Sequence, residues 1–239
     1  MNAWMYSIYL QWQLSLRSKE ILVHFYLVPL IFYLFIGNIF SSINPESIHT
    51  MIASMSIFGI TMGGILGSPY PLVEFFASES KKAYFVGGIP FSSLLLSHLL
   101  SGLIHLLIYS IFIAVSAPLL FGSPPIESFF QFLPTISLII MANLSIGMLF
   151  GLFFTHASKM SMATQLVFLP SLMLSGMMFP TELLPKTLET IGLFLPATVG
   201  FSLLTQGAMQ PLKIVYLVSI SLIAILVSIR KTQHLFDDQ

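Results

Sequence analysis

The feature that most constrains this chain is a series of long apolar runs that carry no charged residue. Asp, Glu, Lys and Arg make up 8% of its 239 residues, against roughly 25% in an average soluble domain. Too few polar side chains remain to cover a water-facing surface. The sequence therefore predicts an all-α integral membrane protein that forms a single transmembrane domain over residues 1–239.

The rare charges and the prolines divide the apolar runs into six predicted spans. A spanning helix needs about 20 mostly apolar residues, and Glu20, Lys159 and the pair Pro124-Pro125 separate runs of about that length. The last span is short, although Lys213 can snorkel to the interface and lengthen it. The predicted spans are about 21–40, 48–69, 91–117, 132–154, 161–179 and 212–229.

One further apolar run, before the last span, does not fit a continuous helix. It contains Pro196 and three glycines and ends at Pro211, and proline inside a helix is costly. We predict that residues 181–208 form short helical pieces that re-enter the membrane from its external face, with a surface loop as the alternative. Broken backbone at that depth is tolerated only when it packs in protein or lines a watery cavity.

The distribution of Lys and Arg predicts the orientation. Six spans place both termini on one side of the membrane, and the side richer in Lys and Arg is cytoplasmic. We therefore expect both termini in the cytoplasm. That side carries Arg17, Lys19, Lys81, Lys82, Lys159, Arg230 and Lys231, and the other side carries Lys186 and Lys213.

Two segments outside the spans are amphipathic. In residues 2–19, Trp4, Ile8 and Trp12 recur at helical spacing, which predicts an interfacial helix; alternation in QWQLSLR leaves a strand as the alternative. Residues 74–88 combine charged and aromatic side chains, and a short helix of this kind suits docking of a partner protein, with a plain interfacial turn as the alternative. The docking candidates are Glu74, Phe75, Phe76, Glu79, Lys81, Lys82 and Tyr84.

Small and polar residues inside the spans give a second set of candidates. Glycines spaced by four residues, at 59, 63 and 67 and at 147 and 151, indicate close helix packing within the chain or between subunits. Polar side chains at membrane depth face protein or a watery cavity, so they line a substrate path or bond to neighbouring backbone. The candidate pathway residues are Ser97, Ser101, His105 and Asn143.

Several kinds of chemistry have no motif here. The sequence has no G-x-x-x-x-G-K-[ST] loop, no HExxH and no GxSxG, which are the motifs for phosphate binding, zinc proteolysis and serine hydrolysis. It has no cysteine and zero net charge, so thiolate metal sites, disulfides and nucleic-acid binding are not predicted. We expect no cofactor or metal on this chain. An intramembrane hydrolase stays as a distant alternative.

Residues 174–200, LSGMMFPTELLPKTLETIGLFLPATVG, resemble the signature of type-2 ABC exporter permeases. The resemblance rests on a small-residue turn, an aromatic-proline pair, a short helix and an apolar-proline element before the final span. The loop after the second span departs from the family, because it reads ESKKAYFVGGIP where members often show a Glu- and Arg-rich stretch with Gly-Thr. The matching elements are Ser175-Gly176, Phe179-Pro180, residues 182–193 and Leu195-Pro196.

The resemblance implies a machine of four subunits. Two permeases pair as a homodimer or heterodimer, and two separate ATPase subunits bind ATP beneath them. Residues 74–88 would be the coupling helix and residues 2–19 the connecting helix, and Phe179, Pro180, Leu195 and Pro196 would belong to the outer gate.

The cargo expected from the resemblance and from the short external loops is an amphipathic drug, antibiotic or peptide, exported across a bacterial plasma membrane. A lipid-linked glycan is the alternative cargo. A membrane scaffold without transport is the alternative of another class.

Overall fold

A computed structural model of the chain describes residues 11–13, 16–43, 45–79, 81–82, 86, 91–206 and 210–237. These ranges are mostly helical and contain no strand, which confirms the predicted all-α class. Helix α1 comprises Lys19–Leu22, a π-helical turn at Val23–Leu27, and Val28–Ile43. Helix α2 comprises a 3₁₀ turn at Pro45–Thr50, then Met51–Thr61, a π-helical turn at Met62–Gly67, and Pro69–Ala77. The later helices are α3 (Phe91–Phe121), α4 (Phe129–Phe153), α5 (Ala157–Leu174), α6 (Lys186–Gly192), α7 (Pro196–Thr205) and α8 (Pro211–Asp237).

Length and hydropathy make this a multi-pass membrane protein. In the described ranges five helices are long and apolar enough to cross a bilayer, and α6 with α7 would count as a sixth crossing if the bent pair is one span. Helix α5, which occupies most of the predicted span at 161–179, is less apolar and is not among the five. Its 18 residues extend about 27 Å. The five are Lys19–Ile39, Ser47–Ala77, Ser92–Phe121, Phe129–Phe153 and Pro211–Gln233.

Helix α2 forms the centre of the bundle. Its apolar window is 89% buried, whereas the windows of α1 and α8 are 28% and 22% buried. Every residue from Met51 to Pro69 is buried. The outer helices instead expose large apolar side chains such as Phe35 and Leu222, as expected where lipid is the solvent.

The spaced glycines bring α2 close to its neighbours in the same chain. A Cβ on Gly59 would overlap the ring of Tyr109 in α3, and a Cβ on Gly147 of α4 would overlap the carbonyl oxygen of Gly64 in α2. The Tyr109 hydroxyl donates a hydrogen bond of 2.9 Å to the Met55 carbonyl oxygen. These contacts agree with packing within the chain, one of the two explanations left open by the sequence.

Two helix ends differ from the predicted ones. The second span was predicted to end near residue 69, but α2 continues to Ala77. A π-helical turn precedes Pro69, and Pro69 then begins the next α-helical stretch, where its missing N–H costs little. The fifth span was predicted to reach residue 179, but α5 ends at Leu174 and Gly176 follows with φ at +87°, a conformation that ends a right-handed helix.

Candidate functional site

The predicted docking segment begins as the last turn of α2. Glu74 is exposed there, and Phe75 and Phe76 are half-buried against the apolar core with their ring centroids 5.3 Å apart. The Ser78 N–H donates to the carbonyl oxygens of Glu74 and Phe75 at 3.0 and 3.2 Å, and Ser78 itself is extended. The aromatic part of the segment is therefore fixed to the bundle, and the chain turns directly after it.

A charged turn follows this aromatic base. Lys82 and Glu79 form an ion pair of 2.6 Å, and their side chains are 64% and 83% exposed. The hydrogen bond from Lys82, then the Lys82 charge and that of Lys81, lower the pKa of the Glu79 carboxyl. We call residues 79–82 the charged turn. Tyr84, the last predicted docking residue, lies outside the described residues.

The segment before α8 is broken, with α6 and α7 meeting at 87°. Leu195 precedes α7, and Pro196 is its first residue and is buried. The Tyr216 hydroxyl of α8 donates to the Phe194 carbonyl oxygen at 2.5 Å, at the bend itself. Of the other predicted gate residues, Phe179 is half exposed and Pro180 precedes the 3₁₀ turn Thr181–Leu183.

A cavity of about 290 Å³ lies between the end of α5, helices α6 and α7, and the start of α8. We call it the hairpin cavity. Of the residues that line it, Ser175, Gly176, Pro180 and Glu189 lie in the elements that resemble the family signature. The sequence offered no reason to place Thr198 or Lys213 beside them, because neither belongs to a motif. The available signal was a pair of opposite charges on either side of a proline-broken segment. Its lining includes Ser175, Pro180, Glu189, Thr198, Ser202 and Lys213.

The four candidate pathway residues are all buried inside the single chain. Asn143 Nδ2 donates to the Ile139 carbonyl oxygen at 2.9 Å, and its Cβ lies against Gly64 of α2. The Nδ1 atom of His105 and the Tyr26 hydroxyl of α1 are 2.7 Å apart. The described structure therefore places Asn143 and His105 at contacts between helices, and the role of all four residues in a pathway stays a prediction.

His105 also joins three parts of the chain. Its ring centroid lies 6.0 Å from that of Trp12 in the segment before α1 and 5.7 Å from that of Tyr26, and the Tyr26 hydroxyl is also 3.3 Å from the His105 carbonyl oxygen. The sequence did not single out Tyr26, since a lone tyrosine in an apolar run has no distinguishing spacing. The predicted connecting helix at 2–19 is described only at residues 11–13 and 16–19.

The protein matches a known family over most of its length. A family model described as ABC-2 type transporter matches residues 3–209. The chain belongs to the ABC-2 type transporter family. As an ABC-2 permease it is a transmembrane component of an ABC transporter, in a family whose members associate with an ABC ATPase subunit, and the resemblance in residues 174–200 is confirmed. Comparison with curated proteins and with solved structures gives no match.

Proposed function

We propose that this ABC-2 permease is the membrane half of an ATP-driven exporter of amphipathic drugs, antibiotics or peptides. Two permease subunits pair, and two separate ATPase subunits bind ATP and dock on the cytoplasmic side. The observation that supports this most directly is the charged turn, which projects from the end of the central helix beside an aromatic base. That arrangement offers a partner protein both ionic and apolar contacts.

Helix α2 connects the docking end to the rest of the bundle. Its membrane-spanning part covers Ser47–Ala77, and the helix contacts α3, α4, α5 and α7. A rigid-body push on residues 79–82 by an ATPase would therefore move the element against which most of the bundle packs, and packed helices respond by shifts of whole elements. The same helix, α2, would then carry the docking site for the ATPase and transmit its movement to the elements of the outer gate.

The orientation proposed from Lys and Arg puts the charged turn in the cytoplasm and the hairpin cavity outside, with both termini in the cytoplasm of a bacterial cell. The α3–α4 connection on the outer side is short, at residues 122–128. Recognition by this chain would then occur within or beside the membrane, which suits cargo that partitions into lipid. The alternatives are a lipid-linked glycan as cargo and a scaffold without transport.

The first test is isolation of the native permease in mild detergent, with mass spectrometry of the proteins that accompany it. We expect a stoichiometric subunit with a P-loop. Reversing two charges with Lys81→Glu and Lys82→Glu should lower its recovery by about tenfold, because charged contacts at an interface contribute roughly 1.5–3 kcal/mol when they are desolvated.

The matched control is Lys186→Glu, a charge reversal at an exposed lysine that the proposed orientation places outside. It should leave recovery of the ATPase unchanged. Absence of any ATPase under several gentle conditions would favour the scaffold alternative. Equal loss with the control variant would remove the charged turn as the docking site.

A further inference from the structure

The hairpin cavity is lined by two opposite charges that do not neutralise each other. Glu189 lies on α6 and Lys213 on α8, and no ion pair joins them in the described structure. The Lys213 ammonium instead donates to the side-chain oxygen of Gln206 at 3.2 Å. A molecule in this cavity would meet an anionic group and a cationic group at two separate places.

A buried hydroxyl in the cavity points to a ligand independently. Thr198 is 8% exposed and lines the cavity. Its Oγ1 is buried and has no hydrogen-bond partner within the described residues. Leaving a buried polar group unpaired is unfavourable, and a ligand oxygen in the cavity would remove that penalty. By contrast, the neighbouring Ser202 hydroxyl donates to the Val199 carbonyl oxygen at 2.8 Å.

The size of the cavity and its surroundings limit what can bind. Its volume of about 290 Å³ is close to the lower bound, roughly 300 Å³, for small-molecule sites, so it suits a polar head group better than a whole drug. Leu193 lines the cavity and is exposed, and Ile191 and Phe194, which lie within two residues of it in the chain, are exposed as well. An acyl or alkyl chain could lie along them while the head occupies the cavity.

We propose that the hairpin cavity binds the zwitterionic head group of an amphipathic molecule. The ammonium of the ligand pairs with Glu189, and its phosphate or carboxylate pairs with Lys213 and accepts a hydrogen bond from Thr198. This deepens the proposed function, on which it rests for the link to cargo, by naming the head-group chemistry recognised beside α6 and α7. Phosphoethanolamine is the simplest head group with this charge arrangement.

The test is ligand binding to the full-length permease alone, in a non-ionic detergent, followed by calorimetry and thermal unfolding. The probe is dihexanoyl phosphatidylethanolamine, compared with anionic dihexanoyl phosphatidylglycerol and cationic hexylamine. We expect the zwitterionic probe to bind at least tenfold more tightly than either. Glu189→Gln and Lys213→Met should each weaken its binding by about tenfold, the usual effect of losing one charged hydrogen bond.

Further variants separate recognition from folding. Thr198→Val should weaken binding by about threefold, whereas Thr198→Ser, which keeps the hydroxyl, should retain it. Lys186→Met removes an exposed lysine of α6 that does not line the cavity and should change nothing. Melting temperatures without probe check that each variant folds. Glycerophosphoethanolamine has the head group without the chains. If it binds as tightly as the dihexanoyl probe, the natural ligand is a soluble molecule; if it binds more weakly, the natural ligand is a lipid.

Equal binding of the three probes, or unchanged affinity in both charge variants, would overturn the proposal. Because no ATPase is present in this measurement, such a result would leave docking at the charged turn untouched. Conversely, loss of ATPase association in the Lys81 and Lys82 variants would leave binding of the zwitterionic probe as it is.

Discussion

At the scale of single residues, the contact between α2 and α4 depends on a glycine with no room for a side chain. A Cβ on Gly147 would overlap the Gly64 carbonyl oxygen and the Ser68 hydroxyl, which are themselves joined by a hydrogen bond of 2.7 Å. We expect Gly147→Ala to destabilise the permease by roughly 1–3 kcal/mol, the usual cost of overpacking. Thermal unfolding of the purified protein measures this.

The control adds comparable volume where the chain is exposed. Val215→Ile enlarges a side chain on the outer face of α8 and should leave the melting temperature unchanged. If Gly147→Ala were equally harmless, the helices would have to separate freely at this point. That result would contradict the proposal that close packing between α2 and α4 stabilises the bundle.

At the scale of elements, the bend between α6 and α7 is tied to α8 by one hydrogen bond. The Tyr216 hydroxyl donates to the Phe194 carbonyl oxygen, which lies in the short break between the two helices. Tyr216→Phe should raise amide hydrogen exchange in residues 193–200 by roughly fivefold, because a typical hydrogen bond contributes about 1 kcal/mol to local stability. Exchange measured by mass spectrometry reports this segment separately.

The comparison variant for this element is Tyr33→Phe. The Tyr33 hydroxyl lies 2.9 Å from that of Ser116 and links α1 to α3. Both residues are distant in sequence from the bend between α6 and α7. Tyr33→Phe should leave exchange in residues 193–200 unchanged. Faster exchange there in both variants would indicate a general loosening of the bundle rather than a specific tie at Phe194.

The elements also show what the sequence was able to predict. Charges marked the limits of the spans because a charged side chain is costly to desolvate in the membrane. The broken pieces before α8 were predicted from Pro196 and the three glycines near it, because proline removes a backbone donor and clashes with the preceding turn of a helix. The helix that contains the second predicted span continues to Ala77, and the π-helical turn before Pro69 has no simple sequence pattern that would have predicted this continuity. The hairpin cavity was missed because Glu189 and Lys213, which lie on different helices, line one cavity only in the folded chain.

Within the whole molecule, α5 exposes a polar side chain on a face where contact with lipid alone would be unfavourable. It is less apolar than the five spanning candidates, and Gln165 is exposed on it among Met162, Leu166, Leu169 and Met173. An exposed amide in a hydrocarbon environment is costly, and polar side chains commonly stabilise contacts between helices there. If two permease subunits pair as proposed, we predict that the partner subunit covers the exposed face of α5.

The absence of cysteine makes this prediction directly testable, since one introduced thiol is a unique labelling site. Leu166→Cys on α5 and Leu222→Cys on α8 both replace exposed leucines, and each variant is coupled to a benzophenone maleimide and irradiated in native membranes. The α5 variant should give a product of two permease masses, because a subunit covers it, whereas the α8 variant should react with lipid. A permease adduct from α8 but not from α5 would place the interface on the opposite side. Mass spectrometry of the adduct would also identify the second subunit, since a homodimer yields peptides of this chain alone and a heterodimer yields those of another permease.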